Sequence, residues 1–260
     1  MNHILLVITL FFSVQEYVPS FDLKEDFNIM YRDNLDNLYL VDDFTIKKFS
    51  PKGDLMFTYS DNYLGKISSV SIGVGLKVLV YYQNNAQLVV LDNTLSQLSP
   101  SVTLNYYNLG TTSLVCSSVQ NNYWFFDPLQ GALIKTTNTF SEIYNSGNLD
   151  QLLNTDIEAN FILEWGNNLY LNDPNQGILV FDFFGTYIKT IPLLGLLGFQ
   201  VTEYGIYFTD DGALKYYDFK SFHIEEVKLP KEFQGNVLIS NKMLYLQSDS
   251  GITAFVRNTF

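Results

Sequence analysis

The chain holds one cysteine and two histidines, and neither type sits in a recognisable catalytic pattern. Cys116 lies in the apolar run Ser113-Leu114-Val115-Cys116, where a buried small hydrophobe is expected. A thiol nucleophile would need a nearby base and partial exposure, and only His3 and His223 could supply the base. A single cysteine also excludes an internal disulfide and every multi-cysteine metal centre. His223 alternates with Glu225 in a strand-like run and reads as a surface residue. No Gly-x-Ser-x-Gly elbow accompanies it, so no serine triad is indicated. Gly73-Val74-Gly75 is two glycines in a turn, not a phosphate loop. Asp127-Pro128-Leu129-Gln130-Gly131, Asp173-Pro174-Asn175-Gln176-Gly177 and Asp210-Asp211-Gly212 carry carboxylates before a glycine. A calcium loop needs several oxygen ligands at alternating positions, so these segments read as structural turns.

Composition narrows the partners. Net charge is -12, from 27 acidic and 15 basic residues. Only Arg32 and Arg257 are arginine, which argues against nucleic acid and against an anionic membrane surface. Aromatic residues make up 16% of the chain, chiefly Tyr and Phe, as suits pleated, half-buried sheets. The run Ile4 to Val14 is too short for a resident membrane helix but suits the core of an export signal, with a cut near Gln15. The expected organisation is a signal peptide over 1–15 and one domain over 16–260.

The elements that would position any site form a repeat. Apolar strands ending in a turn residue recur as Asn37 to Asp42, Asn122 to Asp127, Asn168 to Asp173, Gly205 to Asp210 and Met243 to Leu246, with Lys77 to Tyr81 the most degenerate copy. A second strand follows each, starting at residues 46, 88, 133, 178, 214 and 252, at spacings of 42, 45, 45, 36 and 38 residues. Units of about 40 residues hold four short strands and their turns, the size of a propeller blade. Outer strands are visible at Asp54 to Tyr59, Thr186 to Ile191 and Phe222 to Val227. Inner strands are expected at 27–32, 68–72, 113–118, 159–164, 199–203 and 237–240. The last unit has only three strands, and the spare stretch Tyr17 to Lys24 can supply its fourth. The expected fold is therefore all-β: a six-bladed propeller of four-stranded antiparallel blades, closed by the N-terminal strand.

The units Asn37 to Tyr59 and Asn168 to Ile191 resemble blades of the NHL, YVTN and TolB-like propellers; no WD40-type Gly-His and Trp-Asp pair is present. The aromatic- and Asn-rich, Arg-poor composition resembles exported proteins of Bacteroidota. In such propellers charged residues at inner-strand ends line the channel mouth. Arg32, Asp33, Glu164 and Glu203 fall there, with Asn241. Resemblance to lactonase-like propellers implies Asp33, Glu164, Glu203 and Asn241 as ligands of calcium or another divalent ion; the bare sequence calls for no cofactor. Leu193, Leu194, Leu196 and Leu197 lie in the crossing from one blade to the next, either as core or as an apolar interface patch. Tyr106, Tyr107 and Tyr123 are further aromatic candidates.

The absence of catalytic signatures leads to an expected function: a non-enzymatic interaction scaffold, or an accessory subunit of a periplasmic or outer-membrane complex, with a protein partner in the cell envelope. The alternatives are a metal-dependent, lactonase-like hydrolase and a small-ligand or glycan-binding propeller. The last needs an aromatic platform beside hydrogen-bonding groups in a pocket.

Overall fold

The computed structural model describes residues 16–73 and 75–258. The expected export signal over 1–15 lies outside the described residues. Among them no helix is long and apolar enough to cross a membrane.

Six four-stranded antiparallel sheets follow one another along the chain as propeller blades. Strand β1 spans Tyr17–Leu23. Blade 1 is β2 (Ile29–Arg32), β3 (Leu38–Val41), β4 (Thr45–Phe49) and β5 (Leu55–Ser60). Blade 2 is β6 (Ser69–Ile72), β7 (Val78–Tyr82), β8 (Gln87–Leu91) and the two-residue β9 (Val102–Thr103). Blade 3 is β10 (Leu114–Ser117), β11 (Tyr123–Asp127), β12 (Ala132–Thr136) and β13 (Glu142–Asn145), followed by the short helix α1 (Leu149–Leu153). Blade 4 is β14 (Phe161–Trp165), β15 (Asn168–Asp173), β16 (Gly177–Asp182) and β17 (Tyr187–Ile191). Blade 5 is β18 (Gln200–Val201), β19 (Gly205–Asp210), β20 (Ala213–Asp218) and β21 (Ile224–Glu226). Blade 6 is β22 (Val237–Ile239), β23 (Met243–Ser248) and β24 (Gly251–Arg257), completed by β1. β1 pairs with β24 from Tyr17 opposite Arg257 to Leu23 opposite Ile252, as the three-stranded last unit predicts.

The middle strands are buried on both faces, and this explains their unbroken apolar runs. Along β11, Tyr123 and Phe125 pack towards blade 2, while Trp124 and Phe126 pack towards blade 4. One apolar cluster fills each of the six junctions between neighbouring blades. Each fully buried Leu, Val or Phe there contributes about 1.5–3 kcal/mol of apolar transfer energy.

Alternating strand direction sorts the turns. Those joining the first strand to the second, and the third to the fourth, emerge on one face, here the lower face. The upper face carries the second-to-third turns and the crossings between blades.

The third-to-fourth turns share a device that the sequence reading did not isolate. Ser50, Asp92, Thr137 and Asp182 each accept backbone N–H bonds from residues two and four further on. Asp218 does so from Lys220 and Ser221. Near the end of each turn one residue takes a left-handed conformation: Gly53, Leu95, Phe140, Gly185 and Phe222. The side-chain oxygen holds the turn and offsets part of the strain at the non-glycine members.

Candidate functional site

Hydrogen bonding between inner strands decides what the expected channel-mouth residues can do. The Asp33 carboxylate accepts from Leu35 N, Asn37 N and Asn37 Nδ2 at 2.8–2.9 Å and from the Tyr39 hydroxyl at 3.1 Å. Buried Lys48 adds an ion pair at 3.7 Å. Asp33 therefore holds its own turn together. Arg32 donates from Nε to the Ile239 carbonyl at 3.2 Å, joining blade 1 to blade 6. Burial lowers its pKa, opposed by the neighbouring Asp36 carboxylate. The Glu164 carboxylate accepts from Ser118 Oγ at 2.6 Å, Val119 N at 2.9 Å and Trp124 Nε1 at 2.7 Å, joining blades 3 and 4. Glu203 and Asn241 are exposed in the first-to-second turns of blades 5 and 6.

These side chains do not form a metal centre. Among the described residues no group of three or more His, Cys, Asp or Glu is arranged to hold an ion. The ligand set implied by the lactonase resemblance does not fit, because Asp33 and Glu164 spend their oxygens on donors within the fold.

The other candidates are equally placed by structure. Asp127 and Asp173 are fully buried and cap their turns: Asp127 accepts from Leu129 N and Gln130 N, and Asp173 from Asn175 N and Gln176 N. Asp210 pairs with Lys215 at 2.6 Å. Burial pushes the Cys116 thiol far up, which keeps it protonated. His223 is exposed at the lower-face end of blade 5. In the 192–199 crossing Leu193 and Leu196 are buried in the junction between blades 4 and 5, while Leu194 and Leu197 are 59% and 87% exposed.

One concavity lies on the lower face, between blades 2 and 3. Its inner part is bounded by Gly73, Lys77, Ser117, Ser118, Asn121, Asn122 and Tyr123. Its outer part, about 170 Å³, is bounded by Lys77, Leu98, Ser99, Tyr123, Asn138 and Phe140. Three local features shape it. The first-to-second turns of the two blades touch: a Cβ on Gly73 would lie 2.8 Å from that of Ser117. Ser117 N donates to Ser71 Oγ at 3.0 Å, fixing the two inner strands. β9 has only two residues, so blade 2 covers less of blade 3 at its outer side.

An aromatic stack forms the wall. The Tyr123 and Phe140 rings are stacked with centroids 5.5 Å apart, and the Tyr107 ring lies 4.9 Å from Phe140 on its own account. Tyr123 and Phe140 are buried at 8% and 9% exposure, whereas Tyr107 is 43% exposed. Burial raises the Tyr123 pKa, so the phenol stays neutral. The Lys77 ammonium donates to Asn121 Oδ1 at 2.9 Å and keeps two further protons. The groove can thus offer an apolar edge, amides, hydroxyls and one cation.

Of the aromatic candidates in the sequence, Tyr123 lines the groove; Lys77, Asn121, Asn138 and Phe140 were missed. One signal was available for Phe140. It stands in its turn where blades 1 and 4 carry Gly53 and Gly185, so a costly left-handed residue replaces a glycine. Leu95 does the same in blade 2, so the strain alone does not mark function.

Fold and groove together define a six-bladed β-propeller with an inter-blade pocket. No family model matches the sequence, and no curated protein does. Solved structures share the fold. A streptogramin B lyase matches at 15% identity and TM-score 0.58, over 88% of this chain and 78% of its own. A catalytically inactive virginiamycin B lyase from Staphylococcus aureus, solved with quinupristin, matches at 12% identity and TM-score 0.59, over 96% and 98%. The extracellular domain of BT4673 from B. thetaiotaomicron matches at 13% identity and TM-score 0.56, over 89% of this chain and 33% of that one. Some distant fold relatives are thus Bacteroidota proteins.

The likeness corrects the functional expectation. The scaffold reading and the reading as a non-enzyme rested on missing catalytic signals. Lyases with the same propeller, matched over nearly the whole chain, overturn both.

Proposed function

We propose that this propeller binds a small, hydroxyl-rich ring compound of the carbohydrate class in the groove between blades 2 and 3. The observation that carries the reading is the Tyr123–Phe140 stack beside Lys77, Asn121 and Asn138 in one concavity. A sugar presents apolar C–H faces and hydroxyl edges, and this lining supplies a partner for each. The blade pattern sets the chain beside the NHL, YVTN and TolB-like propellers on this reading, and the apolar run 4–14 accords with export to the periplasm. The test is a monosaccharide titration of the full chain by ligand-observed NMR, with Phe140→Gly as control. That variant removes the ring but suits the left-handed backbone. Binding by the parent and its loss in the variant are expected. Equal binding by both would refute the groove as the site.

A reaction of the lyase kind at blade 5, away from the groove, is the second reading. The lyases that share the fold favour it, as does blade 5, which presents exposed Glu203, Tyr204 and His223 on the same lower face. The Glu203 carboxylate beside Tyr204 raises that phenol's pKa. Mass spectrometry of ligands incubated with the parent and with His223→Gln tests this. Products formed equally by both would remove His223 from the reaction.

A further inference from the structure

We infer that the groove selects a ring bearing one carboxylate, a uronic acid, over its neutral parent sugar. The inference rests on the small-ligand reading above and adds its charge. The chain carries a net charge of -12, so an anion approaching most of its surface meets repulsion. The groove is an exception. Its lining includes one ammonium, that of Lys77, and no Asp or Glu among the described residues. The carboxylate nearest by bonding is Glu164, which takes Ser118 Oγ at the inner end. Two other donors, Val119 N and Trp124 Nε1, share its charge and turn it into the junction with blade 4.

Lys77 is positioned to act. It is half-buried immediately before β7, so its stem is held while its head reaches the groove. Its bond to Asn121 Oδ1 joins the first-to-second turns of blades 2 and 3 and aims the ammonium between them. Lys77 borders both the inner and the outer part of the groove, as does Tyr123. A ring against the Tyr123–Phe140 edge would therefore bring a ring carboxylate within reach of the ammonium. The hydroxyls would face Ser99 and Asn138. A charge-assisted hydrogen bond to the ammonium outweighs the screened surface repulsion.

D-glucuronate and D-glucose are the probes, titrated against the full chain by calorimetry and by backbone amide shifts near Lys77 and Tyr123. Glucuronate is expected to bind about fivefold more tightly at low salt, with the preference shrinking as salt is raised. Lys77→Gln should abolish the preference, with backbone amide shifts away from the groove matching the parent as the check that the variant is folded. Lys77→Arg should restore it. Equal affinity for the two sugars in the parent, or a preference that survives Lys77→Gln, overturns the inference but leaves the groove as a sugar site. Failure of both sugars to bind overturns the groove reading as well.

Discussion

Gly251 lies against the backbone of Leu23 so closely that a Cβ on it would sit 2.0 Å from the Leu23 carbonyl oxygen. Gly251 also has φ +119°, a region closed to other residues at reasonable cost. The relationship joins the last continuous strand, β24, to β1, which is separated from it by almost the whole sequence. The closure of the ring thus depends on a glycine that has no side chain to contribute.

Gly251→Ala is accordingly expected to unlatch β1. Backbone strain and lost pairing together should cost about 3 kcal/mol or more. Chemical denaturation would show the fall in midpoint, and limited proteolysis would show early cleavage within Tyr17–Leu23. An unchanged midpoint with full protection of β1 would refute the latch.

Two buried lysines join blades in the same way. Lys48 Nζ donates to the Asn93 carbonyl at 2.8 Å, and Lys135 Nζ donates to the Phe183 carbonyl at 2.7 Å. Each bond crosses from a third strand to the capped turn of the following blade. Burial lowers the Lys135 pKa, with Glu164 opposing, so the ammonium already pays for its desolvation. Its stem also packs near Trp124, with Nζ 4.8 Å from the ring centroid. Lys135→Met keeps the packing and removes the buried charge, so it should change stability by less than about 1 kcal/mol. Lys135→Ala loses the packing as well and should cost about 2–3 kcal/mol. Thermal and urea unfolding of the two variants would separate these roles; equal losses would show that the ammonium, not the stem, is what matters.

Buried phenols predict the alkaline limit of the fold. Burial pushes the Tyr81 phenol up to about 12, and it raises Tyr39, Tyr82 and Tyr245 further. An unfolded tyrosine ionises near pH 10. Between these values the folded chain holds protons that the unfolded chain releases. The stabilisation is complete below about pH 10 and is lost as pH rises through about 12. Phenolate absorbance should therefore appear in two stages, exposed tyrosines first and the buried set together with unfolding. A single smooth titration without loss of sheet signal would contradict this.

The sequence by itself determined the ring. Six units of near-constant length, unbroken apolar middle strands and a three-stranded last unit leave few other closed arrangements, because strand pattern and turn chemistry are local. Asp127 and Asp173 were legible as turn caps for the same reason. The short β9 and helix α1 escaped detection, since neither carries enough periodic residues to stand out. The site was decided only by tertiary structure. Asp33 and Glu164 look free in a linear reading and are occupied by donors from Asn37, Tyr39, Ser118 and Trp124. Lys77 and Phe140, far apart in the chain, come to one groove because neighbouring blades place their lower-face turns side by side. Pairing across a blade junction is a long-range fact, and no local pattern encodes which side chains will meet there. The charge deficit of the groove within an acidic molecule likewise appears only once the blades are packed.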